Sequence, residues 1–148
     1  MFFEDFDLGM RMETAGKTIT EADIVNFAGV SGDWNRIHLD EEFAKKTIFG
    51  RRIAHGLLTL SITSGLITRL RLTEDSLIAF YGIDRLRFTK PVFIGDTIRG
   101  VVEVEEKEDK GDYGIVSFKV STLNQNDEVV MVAKFKTAVK KRNGGKDS

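Results

Sequence analysis

The chain has 148 residues, 41% hydrophobic and 30% charged, with a formal charge of −1, two histidines and no cysteine. That is the size and balance of one soluble globular domain with a single core, and it excludes disulfide staples, thiolate zinc sites and a cysteine nucleophile. There is no basic field for a nucleic-acid backbone, no apolar run near the ~20 residues that cross a bilayer, and no HxxxH or HxH spacing, so no metal centre is expected.

The opening segment MFFEDFDLGM is acidic and lacks the basic flank and apolar stretch of a secretory signal, which makes a cytoplasmic location the expectation. Thr20 with Asp23 three residues on is a helix-start pattern, and Ile24, Val25, Phe27 and Ala28 repeat at helical spacing, predicting a helix over Glu21 to Val30. SGDWNRIH then reads as an irregular loop, after which Asp40 caps a second short helix to Lys46 with Phe43 and Ala44 facing inward. HGLLTLSITSGLITRL, His55 to Leu70, carries no charge before Arg69 and is apolar on nearly every side, the pattern of a buried central helix.

From Leu77 the period changes to two. Ile78–Phe80, Leu86–Phe88, Ile98–Val104, Ile115–Val120 and Val129–Val139 read as strands, with turns at Lys90-Pro91, Gly95-Asp96, Asp109 to Asp112 and Asn124 to Asp127. Val101 is out of step with the alternation around it, which predicts a bulge near Gly100. Helices followed by strands joined as hairpins predict an α+β domain over residues 1–139, with an antiparallel sheet on one helix. The segment KKRNGGKDS, 140–148, has no apolar anchor and reads as a frayed tail.

Two stretches suggest chemistry. Asp33 and His38 share one loop with Gly32 and Asn35; a carboxylate and an imidazole there can hold one water and exchange its proton near neutral pH. The same residue types also build turns and caps, and a lone His beside Ile37 and Leu39 also fits ordinary packing. IAHGLL places His55 and Gly56 at the start of the central helix, where unpaired amides and the positive helix end can receive an oxyanion. A close-packing requirement at Gly56 and a simple helix-start role for His55 are the alternatives.

FAGVSGDWNRIHLDEEFA followed by IAHGLLTLSITSGLITRL resembles the hydratase motif of the MaoC-like dehydratases and (R)-specific enoyl-CoA hydratases, and YGIDRLRFTKPVFIGDTI resembles the strand and turn that follow it there. The resemblance runs from about residue 7 to 139 and implies a hotdog fold, a long central helix wrapped by an antiparallel sheet, assembled as homodimers or larger homo-oligomers. It implies that Asp33 and His38 activate water, that the Gly56 N–H meets the thioester oxygen, and that Asn35 and Ser64 support them. The substrate implied is an acyl-CoA, with no further cofactor. One departure stands out: the family motif has proline after the asparagine, and here the residue is Arg36.

For the acyl chain and the carrier, Phe27, Trp34, Phe43 and Phe49 are candidate apolar lining, and Lys45, Lys46, Arg51 and Arg52 are candidate phosphate partners, although core packing and a solvated charged face account for them as well. An acyl-CoA thioesterase of the same fold is one alternative, set back by the lack of an acid between His55 and Leu70. A non-catalytic acyl-CoA-binding or regulatory protein is the other, kept open by Arg36.

Overall fold

In the computed structural model, which describes residues 1–142, an antiparallel sheet carries one helix across its face. The helices are α1 (Glu21–Ser31), α2 (Arg36–Leu39), α3 (Glu41–Ala44) and α4 (Gly56–Thr68). The strands are β1 (Arg11–Glu13), β2 (Lys17–Thr18), β3 (Leu77–Phe88), β4 (Thr97–Asp109), β5 (Tyr113–Leu123) and β6 (Val129–Lys140). The sheet order is β1-β4-β5-β6-β3, with β2 also pairing with β4. No helix of the described residues is long and apolar enough to cross a membrane.

The α1 start follows the sequence: Thr20 Oγ1 accepts from Asp23 N–H at 3.1 Å, and Asp23 accepts from Thr20 N–H at 2.9 Å, so each residue satisfies the other's orphan donor. Asp40 caps α3 by accepting from Phe43 N–H at 3.0 Å. Between them the expected loop contains a further helical turn, α2, which starts because Asn35 Oδ1 accepts from Ile37 N–H at 3.1 Å.

β4 to β6 form consecutive hairpins, and β3 closes the sheet on the far side of β6, with Phe80 opposite Thr137 and Ile83 opposite Phe135. The turn at Lys90-Pro91 therefore joins strands that are not neighbours, and the two short segments expected there are one strand with register shifts. The bulge expected near Gly100 lies further on, between Val104 and Glu106. Val101 simply faces out with Arg99 and Glu103, while Ile98, Gly100, Val102 and Val104 face in. A Cβ at Gly100 would make ordinary contacts with Thr14, Thr63 and Ile67 at 3.4 to 3.7 Å, so packing alone does not require glycine there.

The core lies between the sheet and α4, where Ile98, Val102, Val116, Val120, Met131 and Val139 are buried completely or nearly so, each such side chain stabilising the fold by roughly 1.5–3 kcal/mol. Thr63 fixes the helix to the sheet, bonding Thr59 O at 2.9 Å and Thr122 Oγ1 at 2.8 Å. The helix is not buried all round within one protomer: Leu57, Ser61, Gly65 and Thr68 form an exposed stripe at helical spacing. Leu77, Ile78, Phe80, Tyr81 and Phe88 are likewise exposed along β3, whose outer edge pairs with nothing among the described residues.

The first residues of the expected tail are tied down. Lys140 ends β6 and donates to Ser76 O at 2.8 Å, Lys141 pairs with Asp109 at 2.9 Å, and Arg142 N–H reaches Glu4 at 2.7 Å. Residues 143–148 lie outside the described residues.

Candidate active site

The site begins where α1 stops. Gly32 adopts φ 78° and its N–H returns to Ala28 O at 2.8 Å, a left-handed cap that glycine reaches at little steric cost. Ser31 Oγ donates to Phe27 O at 2.7 Å and accepts from Asp33 N–H at 3.1 Å, and Asp33 Oδ1 accepts from Asn35 N–H at 3.2 Å. Asn35 in turn caps α2. These short-range bonds turn the chain so that α2 carries His38 inward while Asp33 remains exposed. Asn35 thus starts the helical turn that carries His38.

His38 Nδ1 lies 2.8 Å from Ile53 O. A carbonyl only accepts, so Nδ1 carries the proton in the neutral ring and Nε2 keeps its lone pair for a substrate or water. Burial pushes the His38 pKa below the ordinary 6.5, opposed by the Ile53 carbonyl, helped by His55, and opposed again by the Asp33 carboxylate.

His55, assigned at most a helix-start role from the sequence, joins the pair. It is 2% exposed, its ring stacks on that of His38 with centroids 3.8 Å apart and planes at 26°, and its Nε2 donates to Asp33 O at 2.9 Å. The sequence signal for it was only its position before Gly56. Asp33, His38 and His55 offer ligand atoms within 4.8 Å of one another. One nitrogen of each ring already faces a carbonyl, so each histidine keeps at most one nitrogen lone pair for another partner.

Gly56 opens α4, and its N–H has no acceptor among the described residues, leaving it at the positive helix end. It lines a cavity of about 320 Å³ with Phe49, Ile53, Thr59, Phe88 and Lys90. Ser64 is two turns away, about 12 Å along the helix axis, and lines a separate apolar cavity of about 100 Å³ with Leu72, Phe80 and Phe135. Within one protomer the structure does not bring Ser64 to the pair.

The remaining candidates divide. Trp34 is 56% exposed, and Phe43 lies beneath the Arg36 guanidinium, 4.3 Å from its ring centroid. Arg36 also pairs with Asp40 at 3.4 Å, so the residue in the proline position lies on the solvent side of the loop. Phe27 packs 4.9 Å from the His55 ring. Arg52 pairs with Glu21 at 2.9 Å and Glu41 at 3.4 Å, clasping α1 to α3. Lys45 pairs with Glu42 at 2.8 Å. Arg51 lies over Phe93, 3.9 Å from the ring centroid, and is exposed.

A sheet wrapped on one helix, with a histidine–aspartate loop beside a helix-start glycine, defines the class. Residues 5–126 match the family of the MaoC-like domain, and the chain belongs to the MaoC-like dehydratases. It is 44% identical over 106 residues to the 3-hydroxybutyryl-CoA dehydratase of Methylorubrum extorquens, covering 72% of this chain and 65% of that protein. To the (R)-specific enoyl-CoA hydratase of Rhodospirillum rubrum it is 42% identical over 103 residues, 70% of this chain and 69% of that one. A match to protein MaoC of Klebsiella aerogenes, 43% identical over 98 residues, or 66% of this chain, spans only 29% of that longer protein.

Among solved structures, a MaoC-like dehydratase from Rhodospirillum rubrum superposes with TM-score 0.85 at 33% identity, covering 96% of this chain and 98% of that one. A protein described as a monoamine oxidase regulatory protein from Archaeoglobus fulgius gives TM-score 0.90 at 42% identity, with 95% of each chain covered. A Mycobacterium tuberculosis protein described as a double hotdog fold matches at 20% identity and TM-score 0.81, covering 100% of this chain and 46% of that one; the fold is a hotdog.

Proposed function

We propose that this protein is a hydro-lyase that adds water reversibly to trans-2-enoyl-CoA, giving the (R)-3-hydroxyacyl-CoA. The observation that carries the reading is the His38 ring, held by Ile53 O, in one cluster with the Asp33 carboxylate and stacked on His55, the residue before Gly56, whose N–H has no acceptor among the described residues. Ligand atoms within 4.8 Å leave room for one water hydrogen-bonded to both side chains.

In the forward direction the water oxygen bonds to the β-carbon and its proton passes to the pair. The π electrons move toward the thioester oxygen, where Gly56 N–H and the α4 dipole meet the developing charge. A proton then returns to the α-carbon, so every atom of the water ends in the product. No cofactor is required, and the protein is proposed to act in the cytoplasm.

The site is proposed to work as a homodimer or larger homo-oligomer. A second copy would cover the exposed stripe of α4 and the apolar β3 edge, a surface that otherwise invites uncontrolled pairing. Two other readings keep the same ligand. α4 contains no acid to direct a hydrolytic water, which weighs against a thioesterase, and a non-catalytic acyl-CoA binder is separated by turnover.

The experiment is loss of the enoyl-thioester ultraviolet band with crotonyl-CoA and a longer enoyl-CoA, comparing wild type with Asp33→Asn and His38→Ala. Consumption by wild type alone supports the hydratase. Release of free thiol without hydration favours the thioesterase, and binding without either reaction favours the non-catalytic protein.

A further inference from the structure

His55 lies at the point where three parts of the site meet. Its Nε2–H holds the main-chain oxygen of Asp33, one ring face lies on His38, Phe27 lies 4.9 Å away, and its own backbone leads directly into Gly56. Helix capping does not explain an imidazole here, because the side chain makes no cap hydrogen bond to α4. Core filling does not explain it either: an apolar ring would pack between Phe27 and His38 without burying two nitrogens, one of which, Nδ1, has no partner among the described residues. What the imidazole alone supplies is a donor to the Asp33 backbone from a flat ring that also fixes the plane of His38.

We infer that His55 is a positioning residue for the hydration, setting the Asp33 backbone and the His38 ring in register with the Gly56 amide. This rests on the hydratase reading above. His55 touches neither the water nor the thioester in this scheme, and acts through Asp33 and His38. A small displacement at such a junction moves reacting groups off line, and misplacement by about 1 Å can cost on the order of 10²-fold in rate.

The test uses the full chain with His55→Phe, which keeps a stacking ring and loses the donor, and His55→Gln, which keeps a donor and loses the ring. Both are checked for folding by thermal melting. Kinetics on crotonyl-CoA are read as kcat and KM separately, and the His38 ring signals are followed by NMR titration. In His55→Phe, kcat falls about 10- to 100-fold with KM within twofold, and His55→Gln recovers part of kcat.

The groups facing the His38 ring are His55, the Ile53 carbonyl and the Asp33 carboxylate. Removing the first, which lowers the His38 pKa, moves the His38 midpoint upward in both variants, and the fall in kcat at unchanged KM is the response that core filling alone would not give. A folded His55→Phe with wild-type kcat and an unmoved His38 midpoint overturns the inference. If that variant does not fold, an unmoved midpoint in His55→Gln overturns it equally. Should wild type hydrate no enoyl-CoA, the hydratase reading fails on that result, and the His38 midpoints still decide whether His55 sets the ring.

Discussion

Gly56 lies against the ring of Phe88, so close that a Cβ at position 56 would be 3.0 Å from Cε2 and Cζ. The glycine that leaves its amide free at the start of α4 is therefore also a packing requirement set by β3. Gly56→Ala must push Phe88 aside or shift the helix start. We expect a loss of about 1–3 kcal/mol in stability and a fall in kcat of more than 10-fold, measured by thermal melting and enoyl-CoA turnover. Adding Phe88→Ala should recover part of the stability. A Gly56→Ala protein with unchanged melting temperature would show that Phe88 yields freely.

Asp33→Asn keeps the side chain's shape and its ability to accept from Asn35 N–H through one oxygen, while removing the charge beside His38. Because Asp33 is exposed, melting should shift little, while hydration falls by roughly 10²–10⁴-fold. His38→Gln should show a comparable kinetic loss. Its melting temperature should also fall, since the His38 ring is buried and bonded to Ile53 O.

The direction of the His38 shift fixes a pH dependence. Its folded pKa lies below the ordinary 6.5 because the ring is buried, so between those two values the unfolded chain binds the extra proton. The contribution of this residue to stability is then fully present above about pH 6.5 and is lost as pH falls through the folded pKa. The acid limb of kcat/KM should likewise have its midpoint below 6.5, and should disappear in His38→Gln. A midpoint above 6.5 would contradict the burial that sets it.

Arg51 and Arg52 are adjacent in sequence and should separate in experiment. Arg52→Met breaks the clasp between α1 and α3 and should cost on the order of 1 kcal/mol, since both carboxylate partners are well exposed, with little change in KM for the CoA thioester. Arg51→Gln should leave melting unchanged. A rise in KM for crotonyl-CoA, absent for the crotonyl thioester of N-acetylcysteamine, would mark Arg51 as a phosphate partner.

The β3 edge predicts self-association. Light scattering at micromolar concentration should give at least twice the monomer mass, and Phe80→Asp with Tyr81→Asp should reduce it. A monomeric wild type would mean that the apolar edge is left uncovered.

Much of this arrangement could be read from single residues. Thr20 with Asp23 marked the start of α1, Asp40 that of α3, and the charge-free run after His55 marked α4, because capping and periodicity act within a few residues. α2 escaped because one helical turn set up by Asn35 has the same composition as a loop. β3 looked broken because Arg85, at φ 55°, and the register shifts around it interrupt the alternation. The β3–β6 pairing and the His55–His38 stack join residues that no local pattern connects, the first through the folded sheet and the second through the return of the chain from His38 to His55. The exposed stripe on α4 was hidden for another reason: apolar periodicity reports that a face avoids water without saying whether its cover comes from the same chain.

The side-chain bonds of the site, from Ser31 Oγ through Asp33, Asn35 and His38 to His55, fall within one uninterrupted stretch of chain that ends at Gly56. The sheet beneath it is held instead by the hairpin pairings of β4 to β6 and by the long-range pairing of β3 with β6. The reacting groups therefore form a cassette with few outside ties: exchanging this segment with that of a relative, or varying it as a block, has to preserve the Ile53–Phe93 bridge, the Ala54 N–H to Val92 O bond and a position 56 small enough to lie against Phe88.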